Sequence, residues 1–401
     1  MHIFSDTRFK SECYFWIGKK PCFPQIDGKT IGCVKCRSYK PIRGNVLIIE
    51  AGGLGSILRT TTISKEIKRL NPNFQVQWLT NEKGLELLSG NVPNVDRVLT
   101  CNDETIQILL AQKFKMVINF ESAPLFLSIA RRLSADRKFG YTMGDLGELQ
   151  PTGKMSHQFL RLQTDDNFRK KINNKSMQQI LLETLGMKWN RQTYDLATNK
   201  ADDDWAREFF YENEIDIYKS HFNKVIGFNI GTSNKLRTKR WSPKHYHKLA
   251  QMVQEKHPDW KILILAGPED ITQYDAFPEI NAHKPLNNLI FSGYGNTISR
   301  FISLVQQTSI VVSADTFGMH VAIGLEKIVV ALFGPQPFAE VELYDRGKKL
   351  KLDLNCTPCF KGKPEQCFNV SHLACMQNLE PNYVFGVLEK QLNNLTIIPL
   401  R

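Results

Sequence analysis

Polar and basic side chains crowd into one segment, Asn229 to Trp241, that follows an apolar run. Thr232 and Ser233 supply hydroxyl groups, and the chain then adds four cations, which are Lys235, Arg237, Lys239 and Arg240. Cations gathered beyond the end of a strand can neutralise a diphosphate and stabilise it as a leaving group. A solvated run of charges is the alternative interpretation of this segment.

A second segment, Ser313 to His320, combines a carboxylate, hydroxyl groups and an imidazole at the predicted start of a helix. Asp315 is placed to cap that helix, and the N–H groups from Thr316 to Gly318 can hold phosphate oxygens. His320 lies about one turn inside the predicted helix. Both a structural hydrogen bond and a chemical role are open for it.

A glycine turn, with Gly52, Gly53 and Gly55, follows another apolar run and precedes a predicted helix. Glycines allow the backbone to approach a ligand closely, and a helix start offers N–H groups to an anion. Thr60 lies about one helical turn further on, where it faces either the ligand, solvent or the core. Such a turn alone is weak evidence, because it can simply connect a strand to a helix.

Eight of the nine cysteines fall into two terminal clusters, and Cys101 stands apart. The leader contains Cys13, Cys22, Cys33 and Cys36, and the tail contains Cys356, Cys359, Cys367 and Cys375. Four thiolates can satisfy one tetrahedral metal ion, and each cluster includes a pair with a two-residue gap. We therefore expect one structural zinc, or iron, in each cluster, whereas free buried thiols are the alternative. No organic cofactor is expected.

Composition narrows the class of protein. The chain has 401 residues and a formal net charge of +12, which favours an anionic partner. We expect no nucleic-acid partner, because neither a basic stripe with interleaved aromatic residues nor a helix-turn-helix signature is present. No apolar run reaches the roughly 18 residues of a membrane span, and the first residues lack the apolar core of a signal peptide. The expected location is the cytoplasm.

Short apolar runs alternate with helical segments along the chain, which predicts an α/β protein with mostly parallel sheets. The alternation starts at Asn45–Glu50 and restarts near Val225. Two Rossmann-like halves follow, and ligands bind such sheets beyond the carboxyl ends of the strands. The predicted domains are a Cys-rich leader (1–40), an N-terminal domain (41–200), a C-terminal domain with the Cys-rich tail at 356–375 (201–385), and a final segment (386–401).

The motifs together resemble glycosyltransferase family 9, the heptosyltransferase family. The matching stretches begin with Asn45–Thr61 and continue through Gly227–Ser233, Lys239–Trp241, Ala266–Glu269, Ser313–Ala322 and Val330–Pro335. The resemblance implies a GT-B fold with two Rossmann-like domains facing one cleft. It also implies an inverting mechanism, an ADP-activated heptose as donor and a saccharide acceptor, such as a lipopolysaccharide or another surface-glycan precursor, with peripheral contact at the inner membrane face.

The resemblance also assigns site residues. Those that would hold the donor diphosphate and sugar are Asp315, Thr316, Gly318, Met319 and His320. Thr232, Ser233, Lys235 and Lys239 would bind phosphate, and Gly52 to Gly55 would border the acceptor side.

Two positions depart from the family pattern. Family members usually have Asp where this chain has Ser56, and that Asp is the candidate general base. They also usually have a basic residue at the end of the first strand, where this chain has Glu50. A serine hydroxyl cannot remove the acceptor proton unaided near neutral pH. Three explanations remain open: Glu50 is the base, another carboxylate such as Asp103 or Glu121 is the base, or the chain transfers poorly and only binds nucleotide sugar.

Overall fold

The computed structural model describes residues 9–29, 32–33, 36–215, 223–283, 285–359 and 367–397. They divide into two compact units that are not continuous along the chain. The first contains the described residues up to Gly52, with Ile63–Leu85 and Asn94–Ser156. The second contains Gly53–Thr62, Glu86–Pro93 and the described residues from His157 onward. None of the helices in these ranges is long and apolar enough to cross a membrane.

The first unit contains a six-stranded sheet with the order β3-β2-β1-β4-β5-β6. Its strands are β1 (Gly44–Ile49), β2 (Phe74–Thr80), β3 (Arg97–Thr100), β4 (Lys113–Asn119), β5 (Ser134–Met143) and β6 (Leu149–Pro151). The first five are parallel to their neighbours, and β6 runs antiparallel to β5. Apolar residues of β1, β2 and β4 pack with α-helical residues in a buried core. Burial on both faces explains why these strands are continuous apolar runs.

The second unit contains a six-stranded sheet with the order β12-β11-β10-β7-β8-β9, and all its strand pairs are parallel. Its strands are β7 (Val225–Asn229), β8 (Lys261–Leu265), β9 (Leu289–Phe291), β10 (Ile310–Ala314), β11 (Ile328–Phe333) and β12 (Gly347–Lys351). All residues of β7 and β10 are buried. These central strands end at the loops that the sequence analysis singled out.

Helices alternate with the strands in both units. They are α1 (Phe23–Ile26), α2 (Leu54–Leu70), α3 (Glu82–Asn91), α4 (Asp103–Leu110), α5 (Pro124–Arg132), α6 (Lys154–Thr164), α7 (Met177–Thr184), α8 (Lys200–Glu212), α9 (Pro243–Lys256), α10 (Ile271–His283), α11 (Ile298–Gln306), α12 (Phe317–Gly324), α13 (Ala374–Gln377) and α14 (Pro381–Ile397). A π-helical turn covers Phe168–Ile172, and 3₁₀ turns cover Asn234–Lys239 and Phe338–Glu340.

Local sequence signals explain several helix starts. Ser242 accepts a hydrogen bond from the His245 N–H, and Pro243 occupies the first turn, so α9 begins as predicted. The α/β class and the two parallel-sheet, Rossmann-like units are confirmed. The sequence analysis did not predict the antiparallel β5–β6 pair or the edge strands β9 and β12.

The leader and tail differ in how they pack within their own units. The leader contains the short helix α1 and an isolated bridge between Cys13 and Pro41. In the tail, Cys375 and Met376 belong to the buried core of the second unit. The Cys359 N–H also donates to the Pro335 carbonyl just after β11. The tail is therefore built into the second unit's core.

Candidate functional site

Asn229 connects the ends of two neighbouring strands in the second unit. Its side-chain amide donates to the Ser313 Oγ at 2.9 Å and to the Thr316 Oγ1 at 2.8 Å. A Cβ on Gly318 would lie 2.6 Å from the Asn229 Cγ. Only glycine fits that position without displacing the amide, which fixes the start of α12 against the end of β7.

Lys239, Asp315 and His320 form a buried charged cluster at the start of α12. The Lys239 Nζ donates to the Asp315 Oδ2 at 2.8 Å and to the Asp315 carbonyl at 3.1 Å. The His320 Nε2 lies 3.6 Å from the Asp315 Oδ1. Burial opposes ionisation of Asp315, but the Lys239 ammonium and the His320 ring outweigh it and hold the pKa of the carboxyl well below its usual range. Asp315 is therefore an anion held among cationic and hydrogen-bonding groups.

The predicted helix cap at Asp315 is wrong. Thr316 occupies the N-cap position of α12, and its side chain makes no capping hydrogen bond. Asp315 is engaged by Lys239 instead. His320 lies one turn inside α12, as predicted, and it is buried.

Asp270 organises the loops that follow β7 and β8. Its carboxylate accepts hydrogen bonds from the Thr232 and Gly267 N–H groups, both at 2.9 Å. The Arg240 guanidinium lies 3.9 Å away. Burial raises the pKa of Asp270, while the two backbone hydrogen bonds and Arg240 oppose that rise. A Cβ on Gly231 would run into the Asp270 carboxylate, so glycine is required at the end of β7.

Three other predicted phosphate ligands lie in the loop after β7. Thr232 is buried, and its hydroxyl is within hydrogen-bonding distance of the Ser233 and Leu236 carbonyls. Ser233 is exposed. Lys235 belongs to the 3₁₀ turn, and its side chain lies outside the described residues. Met319, predicted to contact the donor, is fully buried in α12.

The first turn of α2 approaches His320 within the second unit. A Cβ on Gly55 would lie 2.8 Å from the His320 Cδ2, so the imidazole packs directly on this glycine. The Ser56 Oγ accepts a hydrogen bond from the Arg59 guanidinium at 3.2 Å. Thr60 is buried and donates to the Ser56 carbonyl at 2.9 Å, which is a bond within the helix. Gly53 is exposed.

Glu50 and Gly52 belong to the first unit, where a second carboxylate joins them. The Glu50 Oε1 accepts a hydrogen bond from the Gly52 N–H at 3.3 Å, and the Glu121 Oε1 accepts one from the Ala51 N–H at 2.6 Å. Glu50 is 7% exposed. Asp103 is exposed at the start of α4. Two of the three candidate bases, Glu50 and Glu121, therefore contact the backbone at the glycine turn.

The four leader cysteines line one small cavity of about 20 Å³. A cavity of that volume can hold about one water molecule. The tail cysteines line a larger cavity of about 370 Å³, together with Lys170 and Asn369. No three cysteine, histidine or carboxylate side chains in the described ranges lie close enough to form a finished metal site.

Hydrogen bonds and pKa shifts single out the tail sulfurs. The Asn369 amide donates to the Cys356 Sγ at 3.1 Å, and the Leu373 N–H donates to the Cys367 Sγ at 3.2 Å. Burial and the neighbouring sulfurs raise the pKa of Cys375 to about 12, and they also raise that of Cys359. A bound cation would stabilise crowded sulfurs of this kind as thiolates.

Residue-by-residue reasoning assigned no role to three members of this site. Asp270 lies in the loop after β8, and its position after a strand end is the only feature of the sequence that could have pointed to it. Arg59 lies within a stretch that carried the family resemblance. Tyr194, whose hydroxyl lies 2.9 Å from the His320 Nδ1, belongs to the segment between α7 and α8 and carries no motif.

Comparisons with known proteins agree with this architecture. The model of glycosyltransferase family 9 (heptosyltransferase) matches residues 154–368. A glycosyl transferase family 9 structure from Veillonella parvula DSM 2008 is 16% identical, covers 88% of this chain and 98% of its own, and has a TM-score of 0.65. The ADP-heptose lps heptosyltransferase II of E. coli is 13% identical, with coverages of 88% and 99% and a TM-score of 0.64.

A third structure is the iron-containing dodecameric glycosyltransferase TibC from enterotoxigenic E. coli H10407. It is 10% identical, covers 88% of this chain and 77% of its own, and has a TM-score of 0.52. A comparison with curated protein sequences gives no match. At these identities the similarity to solved structures shows the shared fold.

Proposed function

The chain belongs to glycosyltransferase family 9, the heptosyltransferase family, and from this premise we propose that it is an inverting transferase that moves a heptose or related sugar from an ADP-activated donor to a saccharide acceptor. The observation that carries the proposal is the cluster at the ends of β7 and β10. Lys239 lies there beside the start of α12, and Arg240 lies beside Asp270 in the loop after β8, in the surroundings that a leaving diphosphate requires.

The donor-binding part of the proposal uses the second unit. Lys239, the N–H groups at Thr316 and Gly318, and the loop with Ser233 and Lys235 bind the diphosphate. His320 and the carboxylate of Asp315 hydrogen-bond the sugar. The side chains of Thr232 and Met319 support these loops from within, because both are buried.

The acceptor-side part of the proposal uses the glycine turn. An inverting transfer forms the new glycosidic bond as the bond to the diphosphate breaks, and a base takes the proton of the acceptor hydroxyl. We assign that role to Glu50, which lies at the carboxyl end of β1; Glu121 and Asp103 are the alternatives. Ser56 stands at the position of the family's Asp, and there its hydroxyl contacts Arg59.

A thermal-shift screen of ADP-, GDP-, UDP- and dTDP-sugars tests the donor. A ligand that binds only the folded protein raises its apparent stability, so we expect ADP-heptose to raise the Tm most. ADP release on adding a saccharide acceptor then separates the transferase from a catalytically impaired binding homologue, which would show the Tm rise alone. Absence of any Tm rise, with salt-dependent binding to polyanions instead, would contradict the proposal.

We also propose that each cysteine cluster holds one structural metal ion, zinc or iron. The chemistry of the donor set supports this, because four cysteines surround one cavity in each case. A bound ion would keep the thiolates deprotonated and tie the leader and tail to their units. Elemental analysis of untagged protein is expected to find about two ions per chain, and the absence of stoichiometric zinc or iron would refute the proposal.

The same proposal includes the domain boundaries at residues 40, 200 and 385. It also includes the cytoplasmic location and the peripheral contact with the inner membrane face. The net charge of +12 supports attraction to an anionic membrane face. Sedimentation with vesicles containing anionic lipid, compared with neutral vesicles, tests that contact.

A further inference from the structure

Tyr194 contacts the Nδ1 side of the His320 ring, although it lies between α7 and α8, outside any motif. Its hydroxyl is 2.9 Å from the His320 Nδ1, and the residue is 2% exposed. The neighbouring Asp195 N–H donates to the Thr61 Oγ1 at 2.9 Å, which fixes the backbone of the segment. Tyr194 is therefore a fixed partner of the imidazole.

Gln178 decides which way the hydrogen bond between Tyr194 and His320 runs. Its fully buried side-chain amide donates to the Tyr194 oxygen at 3.1 Å and faces the Tyr344 oxygen at 3.4 Å. An amide nitrogen only donates, so the Tyr194 oxygen accepts from Gln178. The single proton of the Tyr194 hydroxyl is then directed to the His320 Nδ1.

Tyr344 favours this orientation of the Gln178 amide. The Tyr344 hydroxyl donates to the Gln192 carbonyl at 2.8 Å, so a reversed amide would turn its carbonyl oxygen toward a phenol oxygen whose proton is already shared. The Gln178 Oε1 is buried and has no hydrogen-bond partner among the described residues. In this arrangement the His320 Nδ1 accepts the proton of Tyr194.

The other ring nitrogen of His320 meets an acceptor. Its Nε2 lies 3.6 Å from the Asp315 Oδ1, and Asp315 is ionised beside Lys239. A neutral imidazole that accepts at Nδ1 carries its proton at Nε2, which is the nitrogen that faces this carboxylate. The carboxylate on this side of the ring therefore agrees with the tautomer set by Tyr194 on the other side.

We propose that Tyr194 and Gln178 are positioning residues that lock His320 as a neutral imidazole protonated on Nε2, so that His320 donates a hydrogen bond to the bound sugar diphosphate and does not accept the acceptor's proton. The hydrogen bond from His320 to a sugar diphosphate rests on the proposed function, whereas the tautomer of His320 does not. A carboxylate must then serve as the base.

The charges around the ring agree with a neutral state. Burial lowers the pKa of His320, and the nearby Arg59 and Lys239 cations lower it further. The Asp315 carboxylate and its contact with the ring act in the opposite direction, while Tyr194 is itself kept protonated because burial raises its pKa. The ring is therefore harder to protonate than a free imidazole.

The first test measures the tautomer without any ligand. Long-range ¹H–¹⁵N spectra of histidine-labelled protein, with His320→Gln to assign the signal, are expected to show the Nε2–H form at pH 7. Tyr194→Phe is expected to release the ring into a mixture of tautomers. A wild-type signal of the Nδ1–H form or of the imidazolium would overturn the proposal, whatever the outcome of the sugar-nucleotide screen.

The second test uses kinetics with an ADP-sugar. A glutamine amide can replace the Nε2–H donor, so His320→Gln is expected to lose no more than about tenfold in kcat/KM, whereas loss of a general base costs roughly 10²–10⁴. Tyr194→Phe is expected to raise KM for the donor about fivefold and to make it pH-dependent on the acid side, since one hydrogen bond contributes about 1 kcal/mol.

Tyr274→Phe is the matched control, because this phenol bonds the Gly293 N–H and contacts none of the network. We expect it to leave KM and the pH profile unchanged. If Tyr194→Phe lowered only the Tm and left the pH profile as in the wild type, its role would be structural and the proposal would fail.

Discussion

At the carboxyl end of the first sheet, Glu50 and Glu121 accept hydrogen bonds from backbone N–H groups, whereas Asp315 of the second unit is paired with the Lys239 ammonium. Although burial opposes ionisation, that pair holds the pKa of Asp315 well below its usual range, so this carboxylate stays ionised and fixes the position of a cation. The difference supports the proposal that the first sheet supplies the base and the second unit binds the anionic donor.

The largest expected effect comes from removing the proton acceptor at the first sheet. Glu50→Gln keeps the size and polarity of the side chain but cannot accept a proton, so single-turnover transfer is expected to fall by roughly 10³. The Kd for the ADP-sugar is expected to change less than about threefold, since binding belongs to the second unit in this scheme.

Two further variants and a control sharpen this result. Glu121→Gln and Asp103→Asn test the alternative bases in the same assay, and Glu104→Gln changes an exposed carboxylate that the scheme does not use. Full transfer by Glu50→Gln, with a collapse in one of the other two variants, would move the role of base to that residue.

The next effect is expected at Lys239. Lys239→Met removes the cation that pairs with Asp315 and leaves that buried carboxylate with His320 alone. Loss of one charge-stabilising donor costs roughly 10²–10³ in kcat, and breaking a buried pair also costs about 3 kcal/mol of stability. Lys244→Met, an exposed lysine on α9, makes the same change in net charge and should leave kcat unchanged. Equal effects of the two variants would show that only long-range charge matters.

The Lys239–Asp315 pair also predicts a pH dependence of stability. The folded-state pKa of Asp315 lies below its unfolded value, so its contribution is complete above about pH 4 and disappears as the pH falls toward the folded pKa. Wild-type protein should therefore lose stability in acid more steeply than Lys239→Met, in which that pKa is less depressed. Denaturant midpoints between pH 3 and pH 7 measure the difference, and parallel curves would contradict it.

In these two regions, the sequence predicted the backbone better than it predicted the contacts of the side chains. Buried apolar runs predicted the central strands to within a few residues, because a strand covered on both faces has to be continuously apolar. The loops at their ends, with Lys239, Asp315 and His320, followed from this. The edge strands β9 and β12 are shorter or more polar, and their pattern is correspondingly weak.

Tyr194 and Gln178 could not be predicted, because their partners are 126 and 166 residues away and no local pattern records such a contact. The role of Asp315 was mistaken for the same reason. A carboxylate next to a helix start predicts a cap, and only the folded chain brings the Lys239 ammonium to it.

The smallest expected effect tests whether the packing of Gly55 on His320, both in the second unit, matters for donor binding. Gly55→Ala places a methyl group 2.8 Å from the His320 Cδ2, closer than a carbon contact allows, so the imidazole must shift. A displacement of a binding group by a fraction of an ångström is expected to raise KM for the ADP-sugar about tenfold, or about 1.4 kcal/mol. Gly53→Ala meets no heavy atom within 4 Å and should have a several-fold smaller effect, while Gly90→Ala, which is equally free of neighbours, should have none. If Gly53→Ala impaired donor binding as much as Gly55→Ala, donor binding would depend on backbone flexibility of the turn. The packing of Gly55 on His320 would then not be the cause.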